Sequence, residues 1–257
     1  MWLTGLADTG AYPATTVSAL GSVRARLRLR QRLRDPVAVK HDAELRWWLE
    51  QWEPVLRAGG FNPGDAPDFL DGEPVADSYE GRRWQQARAE VRRVLREARI
   101  EDERFFDGKV VLDVGPGPLG FPDACPARLS IGIEPLAERY REHGLLLEDS
   151  PAVYLSVGAE SVPLVSHCVD VVVARNSLDH VDDPAAVLGE VQRLLRPGGT
   201  LILNFDAGHA PTATEPHALS SDFVRRALDA MNVTAEHTSA GAHGVGGDVV
   251  VMVAERR

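Results

Sequence analysis

The pattern of apolar positions divides the chain into a helical part and a part in which strands and helices alternate. Apolar residues recur three and four positions apart in two segments, which predicts one helix from an N-cap at Asp42 to about Leu56 and a second over residues 81–100. The glycine pair 59–60 ends the first helix. Between them, residues 61–79 are rich in proline, glycine and acidic side chains, which predicts a long loop of the kind that often covers a binding site.

From residue 109 onward, short apolar runs typical of buried parallel strands alternate with helical segments. The predicted strands lie at residues 109–114, 129–134, 153–157, 169–174 and 199–205, and a helix is predicted over 184–196. A glycine-rich link joins residues 233–237 to 248–255, which predicts a closing pair of strands. The pattern therefore predicts an α/β fold with a doubly wound parallel sheet over residues 106–257, preceded by a helical N-terminal extension or lid over residues 1–105.

A glycine-rich turn follows the first predicted strand. Gly115, Gly117 and Gly120 have the spacing G-x-G-x-x-G between a strand and a helix, where glycine lets a ligand approach the backbone closely. Glu134 ends the next strand, and a carboxylate at that position can hold both ribose hydroxyls of an adenine nucleotide. By itself this pattern is equally that of a dinucleotide-binding protein.

Three further features narrow the choice. Asp113 ends the strand directly before the glycines, the segment 169–184 follows a fourth strand with the sequence VDVVVARNSLDHVDDP, and LRPGGTL at residues 195–201 leads into the fifth. Here the chain resembles the class I S-adenosylmethionine-dependent methyltransferases, specifically the small-molecule group called type 11, over about residues 110–205. The resemblance implies a Rossmann-like sheet of seven strands with the last strand antiparallel. It also implies S-adenosylmethionine as cofactor and methyl transfer to a small-molecule acceptor in secondary or glycan-type metabolism.

The resemblance also assigns a cofactor site. Its implied residues are Asp113 and Asn176 near the methionine end, Gly115 and Gly117 beneath the cofactor, Glu134 on the ribose, and Pro135, Ala159 and Glu160 along the adenine. Two positions depart from the family pattern. Leu119 stands where the family has its third glycine, which predicts a different path for the loop. Gly158 stands where the family often has aspartate, so Glu160 or the backbone is left to contact the adenine amine.

Candidates for an acceptor-site base are the carboxylate of Glu215 and three histidines: His180, His217 and His209. His180 matches a histidine common in the family after the fourth strand, where a structural role near the cofactor is equally open. The other three lie in the loop after the fifth strand, where ordinary loop residues are the alternative. Asp206, His209, Glu215 and His217 have metal-ligand types, but their spacing is not that of a metal motif, so no metal is predicted.

Charge and composition exclude several classes of function. The net charge is -10, and nearly all of it falls in the α/β part, which disfavours a nucleic-acid partner. No apolar run is long enough for a membrane helix. Two cysteines cannot form a disulfide framework, which favours a reducing cytoplasm, and the arginine, alanine and glycine content suggests a bacterial source. The alternating arginines of residues 24–34 are interpreted as a solvated arm or a patch for an anion.

Two other functions stay open beside the methyltransferase. An NAD-dependent oxidoreductase is disfavoured because the only lysines, Lys40 and Lys109, do not form a Tyr-x-x-x-Lys site. A non-catalytic binding protein with the same fold is the third alternative. Four of the five tryptophans, at positions 47, 48, 52 and 84, lie in the predicted N-terminal helices. These helices are predicted to cover the cofactor edge of the sheet, and a homodimer interface is the competing interpretation.

Overall fold

The computed structural model describes residues 36–60, 70, 72–208, 210–212, 214–240 and 248–257. Contacts between Cα atoms divide the chain into two units, residues 1–43 and 44–257. The arginines of residues 24–34, most of the loop 61–79, His209 and the link 241–247 lie outside the described residues, so the predictions made for them remain predictions.

The first helical region is longer and less regular than its sequence pattern predicts. Helix α1 spans Pro36–Trp47, a five-residue π-helical turn follows at Trp48–Trp52, and helix α2 spans Glu53–Arg57. Asp42 therefore lies inside α1, and its prediction as the N-cap is wrong. The π turn precedes Pro54, whose ring and missing N–H disturb the helical hydrogen bonds one turn earlier.

Helix α3 spans Tyr79–Glu97, and the hydroxyl of Ser78 caps it by accepting the N–H of Gly81 at 3.0 Å. Its predicted apolar stripe is buried along Ala87, Val91 and Leu95. The helix also buries polar side chains that its amphipathic pattern does not single out, namely Arg82, Arg83, Gln85, Gln86 and Glu90. Helix α3 thus faces polar groups as well as apolar core.

A seven-stranded sheet forms the centre of the larger unit. Its strands are β1 Val110–Val114, β2 Leu129–Ile133, β3 Val153–Leu155, β4 Val169–Arg175, β5 Leu195–Ala207, β6 Met231–Ala240 and β7 Asp248–Arg256. Helices α4 Phe121–Ala124, α5 Ala137–Glu142, α6 Pro184–Leu194 and α7 Ser221–Ala227 lie between them in the chain. The order across the sheet is β3-β2-β1-β4-β5-β7-β6.

The pairing of the strands confirms the predicted fold class. Strands β1 to β5 are parallel, β7 runs antiparallel to β5, and β6 pairs antiparallel with β7. Alternate residues of β1 enter two different apolar clusters, with Leu112 in one and Val111 in the other, so the sheet is covered on both faces. The strand order changes direction between β1 and β4, which is where such sheets bind ligands, at the carboxyl ends of the strands.

No helix among the described residues is long and apolar enough to cross a membrane.

Candidate cofactor and acceptor site

The predicted cofactor residues meet at the carboxyl edge of the sheet because β1, β2 and β4 are parallel neighbours. Asp113 is the fourth residue of β1 and is 5% exposed. Burial raises the pKa of Asp113 well above its ordinary value, while the nearby guanidinium of Arg175 opposes the shift. Glu134 and Asn176 directly follow β2 and β4. The structure therefore brings these three residues to the edge at which the resemblance places the cofactor.

The glycine loop passes very close to its neighbours. Gly115 and Gly117 have φ values of +65° and +53°, which side-chain-bearing residues rarely adopt. A Cβ atom on Gly115 would lie 2.7 Å from Cβ of Ser177. The hydroxyl of Ser177 is buried and has no hydrogen-bond partner among the described residues. A buried polar atom beside a bare glycine suits a site that receives a polar ligand, so this loop fits the implied cofactor.

The loop departs from the family pattern for a structural reason. Residues Gly117–Leu119 form a 3₁₀ turn, and the left-handed residue that ends it is Gly120, at φ +87°. A Cβ atom on Gly120 would lie 2.9 Å from Cβ of Ala87 in helix α3. Glycine is therefore required at position 120 because of its positive φ and because α3 packs against it there. The altered loop path expected from Leu119 stays a prediction.

Glu134 is held by backbone donors. Its Oε1 accepts the N–H of Leu136 at 2.9 Å, and its Oε2 accepts the N–H of Gly117 at 3.2 Å. The residue is only 3% exposed. Burial raises the pKa of Glu134 to about 8, the carboxylate of Glu44 adds to the shift, and the two backbone donors oppose it. The carboxyl group is thus ordered and tied to the glycine loop, and its charge is sensitive to pH near neutrality.

Residues of the π turn lie directly on the glycine loop. Cζ2 of Trp48 is 2.9 Å from the position that a Cβ atom on Gly117 would occupy. The same region packs on helix α5, and the hydroxyl of Tyr140 donates to Oε1 of Glu44 at 3.4 Å. Trp48, Trp52 and the residues after β2 therefore form one packed cluster beside Glu134.

The segment after β3 is tied to the loop after β4. Ala159 is buried and Pro135 is exposed. Oε1 of Glu160 accepts the N–H of Asp182 at 2.9 Å and that of Asp183 at 3.4 Å. One carboxylate oxygen of Glu160 is therefore engaged in joining the two loops, and its predicted contact with an adenine amine stays a prediction.

His180 lies between two acidic side chains. Its Nε2 is 3.9 Å from Oδ1 of Asp179 and 3.8 Å from Oε1 of Glu215. Asp179 is 1% exposed, whereas His180 and Glu215 are each about one quarter exposed. Ligand-type atoms of the three lie within 4.8 Å of one another. In the sequence, Glu215 was considered as a metal ligand together with Asp206, His209 and His217. In the structure it lies instead beside Asp179 and His180.

His217 is occupied at one ring nitrogen. Its Nε2 lies 3.0 Å from the carbonyl oxygen of Val181, which makes it the donor to that oxygen. The residue lines a cleft of about 270 Å³ together with Asp183, Pro216 and Phe223. This contact fastens the loop after β5 to the loop after β4, so a structural role for His217 is better supported than a catalytic one.

Comparison with known proteins finds similarity over the central part of the chain. Residues 112–203, from β1 to β5, match the family described as a methyltransferase domain. This match supports the predicted resemblance to the class I S-adenosylmethionine-dependent methyltransferases over the central part of the chain. An uncharacterized methyltransferase of Mycobacterium sp. (strain JLS) is 34% identical to this chain over 107 residues. That alignment covers 40% of this chain and 41% of the relative, so the chain spans about two fifths of the relative's length.

Solved structures share the fold of the methyltransferase domain. The S-adenosylmethionine-dependent methyltransferase from Mesorhizobium loti superposes with a TM-score of 0.50 at 17% identity, covering 73% of this chain and 100% of that chain. The [4+2]-cyclase SpnF superposes with a TM-score of 0.52 at 17% identity, covering 79% and 91%. The match to a methyltransferase domain agrees with the predicted cofactor, S-adenosylmethionine.

Several site residues were not predicted from the sequence. Trp48 belongs to the helices that were predicted to cover this edge, but its contact with Gly117 and the approach of Glu44 to Glu134 were not predicted. A second group consists of the buried or partly buried polar residues Glu90, Glu97, Arg175 and Asn204. The one sequence signal for this group is Asn204 itself, a polar residue inside the apolar run of β5.

Proposed function

We propose that the protein transfers the methyl group of S-adenosylmethionine to a small-molecule acceptor whose nucleophilic atom gives up its proton to His180. The observation that carries this proposal is the position of His180. The imidazole follows β4 at the carboxyl edge of the sheet and lies within 4 Å of two carboxylates. A positioned imidazole with carboxylate neighbours is the usual arrangement of a general base.

The chain's own residues have three tasks in such a reaction. The cofactor, when bound, supplies a methyl group on a positively charged sulfur. Glu134 orients the ribose through its carboxylate, and the bare glycine loop lets the cofactor lie against the backbone. The remaining requirements are alignment of the acceptor and exclusion of water.

His180 suits a hydroxyl-bearing acceptor. Asp179 and Glu215 lie within 4 Å of Nε2 of His180, so they can orient the imidazole toward an acceptor hydroxyl. A hydroxyl acceptor agrees with the expected secondary or glycan-type metabolism. The acceptor is proposed to lie beside the loop after β5, which carries Glu215.

Water exclusion is proposed to fall to the N-terminal helices. Trp48 contacts the glycine loop directly, and Leu45, Trp52 and Leu56 bury their side chains in the same cluster as helix α5. We propose that residues 44–57 cover the cofactor as a lid over the domain of residues 106–257. The competing use of these helices, as a homodimer interface, would depend on Trp47, which is 46% exposed.

The test uses the purified protein, S-adenosylmethionine and a panel of hydroxylated small molecules, with formation of S-adenosylhomocysteine as the readout. His180→Gln should lower the rate with the best acceptor by about 100-fold or more, while the Kd for S-adenosylhomocysteine changes less than twofold. His143→Gln is the control, because His143 is exposed after α5. Equal rates for His180→Gln and wild type would refute the role of His180.

Two further arms separate the alternatives. Chelator followed by Mn²⁺ or Mg²⁺ tests the trio of Asp179, His180 and Glu215 as a metal site, and activity that depends on the ion would replace the base role of His180. Thermal shifts with NAD⁺ and with S-adenosylhomocysteine separate the oxidoreductase from the methyltransferase. SpnF, which has a similar fold, is described as a [4+2]-cyclase. Cofactor binding without methyl transfer to any acceptor would therefore favour a non-methylating or binding role.

We also propose that the protein works in a reducing cytoplasm of a bacterium. Cys125 and Cys168 are both free thiols. Cys125 is 7% exposed, and burial raises its pKa to about 12, so its thiol is unreactive.

A further inference from the structure

We propose that Asn204 and Glu97 are positioning residues that hold the backbone turn at Asn176 and thereby set the affinity for the cofactor. The inference rests on the proposed function, because it assigns the turn at Asn176 to the cofactor's methionine side. It adds helix α3 and the end of β5 to the residues on which cofactor binding depends.

Asn204 links the turn to helix α3 through both ends of its amide. Its Oδ1 accepts the backbone N–H of Asn176 at 2.7 Å, and its own carbonyl oxygen accepts the same N–H at 3.1 Å. Its Nδ2 donates to Oε2 of Glu97 at 2.9 Å. Because Glu97 can only accept when ionised, the orientation of the Asn204 amide is fixed.

Glu97 is itself held by an arginine. Nε of Arg175 lies 3.2 Å from Oε2 of Glu97, and Nη1 of Arg175 lies 2.6 Å from Oε2 of Glu90. Glu90 is fully buried, and its Oε1 accepts from Nε2 of Gln86 at 2.8 Å. Two carboxylates of α3 thus form ion pairs with Arg175, the residue directly before the turn. Asn204 accepts a hydrogen bond from Asn176, the residue that begins the turn.

The turn needs such support. Asn176 has φ +45°, a left-handed conformation that residues other than glycine adopt rarely, although asparagine tolerates it better than most. Its side chain is exposed. The next residue, Ser177, packs against Gly115. Movement of the turn would therefore move the wall of the glycine loop as well, and that couples Asn204 to the cofactor without direct contact.

The chain offers a matched control for the key substitution. Gln192 is also an amide that is 7% exposed, like Asn204. Its Nε2 donates to the carbonyl of Ala227 at 2.9 Å, and its Oε1 accepts the N–H of Ala230 at 2.9 Å, on the opposite end of α6 from the site. Asn204→Asp and Gln192→Glu each remove an amide donor and introduce a carboxyl group, but only the first faces Glu97.

The experiment measures the Kd for S-adenosylhomocysteine by calorimetry on the full chain, at a temperature where circular dichroism shows every variant folded. Asn204→Asp should raise the Kd at least tenfold, and Gln192→Glu should change it less than twofold at a similar loss of Tm. The double variant Glu97→Gln with Asn204→Asp restores a donor–acceptor pair between these two positions at constant net charge. Its Kd should lie between that of Asn204→Asp and that of wild type, because the new amide donor also faces Nε of Arg175. A purely structural role would make the Kd follow Tm in all variants.

The outcomes separate the two proposals. If wild type and Asn204→Asp bind S-adenosylhomocysteine equally tightly, this inference alone is overturned. It is also overturned if Gln192→Glu raises the Kd as much as Asn204→Asp does. Wild-type protein that binds no S-adenosylhomocysteine would overturn the proposed function and this inference together. If Asn204→Asp does not fold, Glu97→Ala replaces it: the Glu97 side chain is 31% exposed, and a Kd unchanged from wild type would overturn the inference.

Discussion

The affinity for the cofactor should depend on pH through Glu134. Its pKa is raised to about 8 by burial, so the ligand-free protein holds it mostly as a neutral acid at pH 7. The ionised carboxylate is the form that accepts two hydrogen bonds from ribose hydroxyls most strongly. Cofactor binding therefore selects the ionised form, and affinity should rise with pH.

The magnitude follows from the fraction of molecules that are ionised. With a pKa of about 8, roughly one tenth of the molecules carry an ionised Glu134 at pH 7 and roughly nine tenths at pH 9. The apparent Kd equals the intrinsic Kd divided by the competent fraction, so the Kd for S-adenosylhomocysteine should fall about tenfold between these pH values. Calorimetry across pH 6.5–9 measures this directly.

Two variants make the assay decisive. Glu134→Gln cannot ionise, so its profile reports only the titration of the ligand and of other groups. Glu44→Gln removes the neighbouring carboxylate that raises the pKa of Glu134, and its profile should shift to lower pH. A wild-type profile that runs parallel to that of Glu134→Gln would refute the reasoning.

The same group should affect the stability of the ligand-free protein. Its pKa is higher in the folded protein than the ordinary value of 4.5. Its contribution to stability is therefore fully present below about pH 4.5 and is lost as pH rises through about 8, at about 1.4 kcal/mol per pH unit at most. The Tm of wild type should therefore fall more steeply between pH 4.5 and 8 than the Tm of Glu134→Gln. Bound cofactor should reduce this difference, because it favours the ionised carboxylate.

Two further predictions concern the glycine loop and the side chain of Trp48, which packs on it. Trp48→Ala should speed dissociation of S-adenosylhomocysteine at least fivefold in stopped-flow fluorescence, because the lid contact is lost, whereas Trp47→Ala, at an exposed neighbour, should not. Gly117→Ala should abolish measurable cofactor binding and lower the unfolding free energy by more than the roughly 1 kcal/mol typical of left-handed strain, since its Cβ would meet Trp48 at 2.9 Å. Gly144→Ala carries a similar φ of +68° with open space around it, so an equal loss of stability in both would contradict the contact with Trp48.

Strands β1, β2 and β4 were predictable because each is a largely buried parallel strand, and such strands are continuous apolar runs bounded by turns. Predicted and observed limits agree closely for the run 169–174, which the structure extends only to Arg175. The glycine loop and Glu134 were also predictable, since the βαβ order alone brings the ends of β1 and β2 to one edge. These features depend on local patterns and on a topology with few alternatives.

The rest depends on contacts between distant parts of the chain. The polar face of α3 was invisible because a buried arginine or glutamate looks like a solvent-facing one until its partner is known. Glu215 and His180 are 35 residues apart and meet only because the loops after β4 and β5 share an edge. The start of α1 was missed for another reason: Asp42 has the residue type of an N-cap, but Pro36 begins the helix a turn and a half earlier.

The pairing of Arg175 with Glu90 and Glu97 has a consequence for how the protein can be divided into modules. A boundary at residues 105 and 106 would leave a buried guanidinium in β4 without its two carboxylates, and isolating a buried charge in this way typically destabilises a protein by about 3–5 kcal/mol. We therefore expect that the sheet does not fold stably without helix α3. The smallest fragment that folds by itself should begin at about Tyr79. A fragment or chimaera that begins at strand β1 should not fold stably unless Arg175 is replaced by an apolar residue at the same time.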